Sequence, residues 1–146
     1  MREEHTARAV IVSDGFMLAL RPSHKVIFFT PGGRVESSET ARIALAREMA
    51  EELPGVAFEI IAELGLIEHR WREPTGEEMA GHHHFFHLAA PALSPKSIPV
   101  SVEPGLTFAW LPISDLSSVP IQPPSLARLV PQLVSGQASV WSVLDA

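Results

Sequence analysis

Along the first thirty residues, apolar positions come in short β-branched and aromatic runs parted by turn-forming residues. Thr6 to Ser13 (TARAVIVS) predicts a strand, Asp14-Gly15 a hairpin turn, and Phe16 to Leu20 the returning strand. Arg21 to Lys25 reads as loop, and Val26 to Thr30 (VIFFT) as a short buried strand running into Gly32-Gly33. The period then lengthens. Ile43, Ala46, Met49, Ala50 and Leu53 form the apolar stripe expected of a helix against a core. Ser37 or Ser38 would cap its start, with Glu39 in the first turn where the helix dipole favours an anion. Pro54 disfavours helical geometry at Leu53, so the helix should stop there, and Gly55 can take the left-handed turn that follows.

Downstream, Val56 to Trp71 predicts one long, bent strand or two shorter ones, with Gly65 inside. Glu73 to Gly81 reads as a turn and His82 to Ala89 as the next strand. Prolines between Pro91 and Pro131 leave no room for a long helix before residue 124. Leu106 to Leu111 predicts a strand and Ser114-Asp115-Leu116 a single helical turn. Pro124 to Val134 predicts a second helix with Leu126, Leu129, Val130 and Leu133 as its stripe, weakened by Pro131. The tail, Gln137 to Ala146, is apolar enough to dock on the domain or on a second subunit. Strands before and after one helix, with a second helix near the end, make a mixed α/β protein. With 146 residues, no internal repeat and no linker, the chain reads as a single domain over 1–146.

Composition narrows the function classes. A net charge of −6 offers no global basic footprint for duplex nucleic acid or an anionic membrane. No apolar run reaches the roughly 18 residues needed to span a bilayer, and the mixed charges of MREEHTAR argue against a signal peptide. The absence of cysteine excludes disulfides and thiol catalysis and is compatible with the cytoplasm, the expected compartment.

The chemistry concentrates in PGGRVESSETARIALAREMAEELPGV, residues 31–56. Glu51 and Glu52 lie three and four positions after Glu48, so all three carboxylates share one helix face. Like charges at these spacings destabilise an isolated helix, and a hard divalent cation with oxygen ligands would compensate.

Gly33, five residues, Glu39, seven residues, then Arg47-Glu48-Met49-Ala50-Glu51-Glu52 resembles the Nudix box, GX5EX7REUXEEXGU. Six fixed positions at ordinary residue frequencies match by chance on the order of 10⁻⁷ per window. Leu53-Pro54-Gly55-Val56 is one residue longer than the box ending, downstream of every carboxylate. The resemblance extends to Glu68-His69-Arg70-Trp71 and to Trp110-Leu111-Pro112 with Asp115-Leu116, and weakens beyond about Ser125.

The resemblance implies a Nudix α/β/α sandwich with a mixed sheet between helices. It also implies an Mg²⁺-dependent hydrolase, with Mn²⁺ as substitute, acting on the diphosphate linkage of a nucleoside diphosphate joined to another moiety. Glu48, Glu51 and Glu52 would be the metal ligands, completed by the carbonyl of Gly32, and Arg47 would orient the glutamates. One of these three glutamates, Glu51 or Glu52 ahead of Glu48, would accept the proton of the attacking water; members differ on which residue is the base. Glu39 would be a supporting acid. Glu103, in the loop before the last predicted strand, matches a region where several members place another catalytic or metal-binding glutamate, with a solvated loop residue as the plain alternative; Glu77 and Glu78 are weaker candidates. Homodimers are common in the family. The competing reading is a non-catalytic Nudix-fold module that senses a nucleotide or binds a partner, although such members often lose box glutamates. The isomerase branch uses a cysteine, which this chain lacks.

His82, His83, His84 and His87 invite a zinc hypothesis. On a strand, however, His83 and His87 face one way while His82 and His84 face the other, so four ligands cannot converge. Some should line the substrate cleft and others sit at an edge or in the core. Trp71 and Phe28 or Phe29 could stack a nucleobase, with core packing the plainer expectation for each.

Overall fold

The structure, a computed structural model, describes residues 1–137 and 140–145. Seven strands form one mixed sheet: β1 (Arg2–Ser13), β2 (Phe16–Pro22), β3 (Gly32–Arg34), β4 (Glu59–Arg72), β5 (Glu78–Ala89), β6 (Leu106–Pro112) and β7 (Trp141–Asp145). The order is β6-β2-β1-β5-β4-β7, and β3 pairs with β1 beside the β1–β2 hairpin. β1 and β5, and β4 and β7, run parallel; the remaining pairs are antiparallel. Helix α1 (Ala41–Glu52) covers one face, and α2 (Leu126–Val134) with a 3-10 turn (Ile113–Ser118) covers the other.

Strand alternation divides the core between these two layers. Ala7, Ala9, Ile11, Leu18, Leu20, Phe86 and Leu88 point toward α1, where Ala44, Leu45, Met49 and Leu53 meet them. Val10, Met17, Ala19, Ile67 and Phe85 point toward α2 and meet Leu126, Leu129 and Val130. Adjacent residues such as Phe85 and Phe86 thus belong to different cores. This is the α/β/α sandwich.

Several boundaries differ from the sequence expectation, each for a tertiary reason. β1 begins at Arg2, four residues before Thr6, because a parallel ladder with β5 runs from Arg2↔Met79 to Ile11↔Leu88. For the same reason β5 starts at Glu78, which shortens the predicted turn. Val26 to Thr30 is not a strand: Val26 is exposed, and only isolated bridges form at Phe28 and Phe29. The short strand lies instead at Gly32–Arg34. β4 is the bent long strand, with register shifts between Ile60 and Ala62 and between Glu63 and Gly65.

Helix α1 starts later than predicted. Its N-cap is Thr40, whose hydroxyl accepts the Ile43 N–H, so Glu39 lies outside the helix. The buried face is also rotated. Ile43, Ala46 and Ala50 are exposed, while Ala44, Leu45, Met49 and Glu52 are buried. Ala44, with no exposed surface, allows the helix close to β1, and this contact selects the face. The helix does end at Leu53, and Gly55 has φ 78°. Helix α2 starts at Leu126 and continues through Pro131. In the tail, Trp141–Asp145 docks as an edge strand on β4 with Trp141 buried; Ala138, Ser139 and Ala146 lie outside the described residues.

Candidate active site

The acidic residues of α1 are graded in depth instead of sharing one solvated face. Glu52 is 6% exposed, Glu48 is largely covered, and Glu51 is open to solvent. Rotation of the helix toward Ala44 and Leu45 brings Glu52 down beside β3. There the backbone N–H of Gly32 donates to Glu52 Oε1 over 2.7 Å. Burial pushes the Glu52 carboxyl up to about 7, reinforced by the charges of Glu48 and Glu103 and opposed by the Gly32 N–H and by Arg8. Glu103 sits on the exposed loop before β6, near enough for its charge to bear on Glu52. Glu77 lies at the far turn between β4 and β5, paired with Arg2, and Glu78 pairs with Arg72.

Two glycines set the close approach of the loop. A Cβ on Gly32 would lie 2.0 Å from the carbonyl oxygen of Ala7, and the φ of 136° there suits only glycine. A Cβ on Gly33 would lie 2.4 Å from the Glu48 carboxylate.

Arg47 is the hub of the remaining charges. Its Nε and Nη2 donate to the two oxygens of Glu39 over 2.7 and 2.8 Å, and Nη2 also donates to the Arg34 carbonyl. Nη1 donates to Glu48 Oε1 over 3.0 Å and lies 3.6 Å from Glu51 Oε1. The Arg47 fork holds the Glu39 carboxyl at about 2, and Glu39 in turn raises the guanidinium. Glu39 thus meets Arg47 and the Glu36 N–H, and not the first helical turn.

The donor set suits a hard divalent cation in kind: three carboxylates from one helix, one of them buried and short of positive charge. As they stand the side chains are not yet gathered around one point. Among the described residues no three acidic or histidine side chains form a ready metal cluster. Arg47 engages Glu48 and draws Glu51, while Glu52 turns to Gly32.

On the α2 side of the sheet a cavity of about 270 Å³ is lined by Arg8, Phe29, His69, Trp71, His83, Gln122 and Pro123. The rings of His69 and Trp71 lie 5.4 Å apart, over a Gly81 whose missing Cβ leaves room for Trp71 and His83. His83 receives or donates a 2.7 Å hydrogen bond at Thr6 Oγ1, and burial lowers its imidazole to about 4, so it is neutral at pH 7. Phe29 and Trp71 therefore face the cavity, whereas Phe28 packs on the α2-side core.

His82 and His84 point to the opposite face, as strand alternation requires. They meet His5 there: His5 stacks on His82 at 4.6 Å, and its Nδ1 lies 3.2 Å from His84 Nε2. His82 also contacts Glu3 and Glu68. His5, Arg8 and Gln122 escaped the sequence reading. Arg8 carried a usable signal, because an arginine within the apolar run Ala7 to Val12 is a cation placed where charges are rarely buried.

A family model described as the NUDIX domain matches residues 3–133. No curated protein matches the chain. Among solved structures it resembles a NUDIX hydrolase from Nitrosomonas europaea, at TM-score 0.66 and 19% identity over 95% of this chain and 93% of that one. An ADP-ribose pyrophosphatase from Streptococcus suis is similar at TM-score 0.61 and 14% identity, covering 98% of both chains. A UDP-X diphosphatase is similar at TM-score 0.67 and 16% identity, covering 99% of this chain and 68% of that one. These likenesses speak to the fold, and the family match to descent: the chain belongs to the NUDIX domain family of phosphoanhydride hydrolases.

Proposed function

We propose that the protein is a metal-dependent pyrophosphohydrolase that cleaves the diphosphate linkage of a nucleoside diphosphate joined to a second moiety. The observation that carries this reading is the buried Glu52 carboxylate against the Gly32 N–H, on the helix that also bears Glu48 and Glu51. A carboxylate buried this deeply without a basic partner in contact calls for a cation. Mg²⁺, with Mn²⁺ as substitute, suits these oxygen donors. Glu48, Glu51 and Glu52 would hold it with the carbonyl of Gly32. When bound, it would polarise a phosphoryl oxygen and acidify an attacking water.

The chain's own residues supply the rest. Arg47, clamped by Glu39, fixes where the Glu48 carboxylate stands and limits how far Glu51 can swing. Glu51 is solvent-facing and Glu52 is buried with a raised pKa, so either can take a proton from water, by different routes. Glu103, whose charge bears on Glu52 from the loop before β6, would approach a bound substrate if that loop closes. The cavity beside Arg8 offers aromatic faces suited to a nucleobase. ADP-ribose and UDP-linked compounds head the substrate panel, since two structural neighbours bear those names. We take the chain as one Nudix domain acting in the cytoplasm.

The test is a panel of ADP-ribose, UDP-glucose, dinucleoside polyphosphates and oxidised nucleoside triphosphates, assayed by phosphate release after phosphatase coupling. Turnover of at least one with Mg²⁺ or Mn²⁺, abolished by chelator, is expected. Full turnover in metal-free buffer, or none on any diphosphate-linked nucleoside, overturns the reading.

A further inference from the structure

Arg8 stands on β1 where the cavity and the acidic residues meet. Strand alternation sends its side chain to the α2 side, with Thr6 and Val10, so it lines the cavity rather than the α1-side core. It lies opposite Gly32 in the β1–β3 ladder. The carboxylates of Glu52 and Glu48 are the charges that bear most on it.

A guanidinium has five N–H donors. Among the described residues the one side-chain hydrogen bond of Arg8 runs from Nη1 to the Thr30 carbonyl over 3.1 Å. Its Cζ lies 5.5 Å from the centre of the Phe29 ring, which orients the planar group without using its donors. Close by in the chain, the Thr30 hydroxyl is buried and also lacks a partner. Arg8 is half-buried, and a partly desolvated cation with most of its donors unspent favours an anion that comes to meet it. The other cavity-lining side chains are Phe29, Trp71 and Pro123, the Gln122 amide, His69, and His83, whose imidazole burial keeps neutral at pH 7. Arg8 is the one guanidinium in this wall, at the end nearest the glutamates.

We infer that Arg8 is the phosphate-binding residue of this cavity, gripping the phosphate attached to a nucleoside whose base lies against Phe29 and Trp71. Its planar fork suits two oxygens of one phosphate. This site deepens the nucleotide reading above and rests on it. Arg8 positions the phosphate next to the acidic residues; it transfers no proton.

Because binding at Arg8 needs no turnover, the experiment separates it from hydrolysis. Tryptophan fluorescence, with Trp71 in the cavity wall, reports binding in chelator-containing buffer. AMP, GMP, CMP and UMP are titrated against their nucleosides with wild type, Arg8→Gln and Arg8→Lys, each checked for its thermal midpoint. At least one monophosphate should bind wild type about tenfold or more tightly than its nucleoside. That preference should vanish in Arg8→Gln and fall to an intermediate value in Arg8→Lys, which keeps the charge and loses the fork. Nucleoside binding itself should change little in either variant. An unchanged preference in either variant overturns the inference, as does equal binding, or no binding, of monophosphates and nucleosides by wild type. A merely structural Arg8 would lower the midpoint and leave the preference intact. A wild-type preference that is lost in Arg8→Gln, in a protein that hydrolyses nothing, would overturn the hydrolase reading and leave the Arg8 assignment in place.

Discussion

Arg47 grips both oxygens of Glu39, over 2.7 and 2.8 Å, and so ties the second turn of α1 to the segment before its N-cap. The pair holds the Glu39 carboxyl at about 2, below its ordinary 4.5. A carboxylate with a lowered folded pKa contributes stability that is present above the unfolded value and is lost as pH falls through the folded one. Glu39→Gln should therefore melt below wild type at pH 7, with the gap closing between pH 4.5 and 2. Thermal midpoints across that range check it, and a gap independent of pH would contradict the ion-pair account.

Glu52 has the opposite sign. Its folded pKa of about 7 exceeds 4.5, so the native protein holds the proton more tightly than the unfolded chain. That contribution is complete below pH 4.5 and disappears as pH rises through 7. In chelator, Glu52→Gln should melt several degrees above wild type at pH 8, at about 3 °C per kcal/mol for a chain of this size. The advantage should shrink toward pH 5. A variant less stable than wild type at pH 8 would mean that Glu52 is not a strained carboxylate.

Much of this was legible in sequence, for identifiable reasons. The hairpin at Asp14-Gly15, the helix stop at Pro54 and the bent β4 are local, set by turn chemistry and proline geometry. The box fixed which residues to look at, since its spacing is covalent. The missed features are tertiary. Which face of α1 is buried depends on Ala44 meeting β1, and the chain had offered Ile43, Ala46 and Ala50 as an equally apolar stripe. Val26 to Thr30 has strand composition but no neighbouring edge to pair with beyond two bridges. His5 and the His82–His84 pair come together only through the parallel register of β1 and β5, which no local pattern encodes.

The two loop glycines should fail differently. Gly32→Ala drives a Cβ into the Ala7 carbonyl at a φ alanine disfavours, and should cost about 2 kcal/mol or more of stability. Gly33→Ala meets only the end of the Glu48 side chain, which can move. It should fold normally and lose about tenfold in apparent affinity for Mg²⁺, read from the metal dependence of the rate. Equal midpoints for the two variants would count against this geometry.

Glu103 is exposed, on a loop whose charge reaches Glu52 without contacting it. Glu103→Gln should leave the thermal midpoint within a degree or so, as an exposed change does. If the loop closes on bound substrate, kcat should drop about tenfold or more with KM nearly unchanged. An unaltered kcat would remove Glu103 from the machinery and leave the glutamates of α1 untouched.

The most direct measurement is the rate of wild type and Glu52→Gln on a substrate the wild type cleaves, with Mg²⁺ and with chelator, beside a Mg²⁺ titration of each. The account predicts wild-type turnover that needs the metal. It predicts a loss of about 10²-fold or more in Glu52→Gln, with the fold intact and Mg²⁺ binding weakened. A folded Glu52→Gln that turns over at the wild-type rate would show that the reaction is carried by other residues.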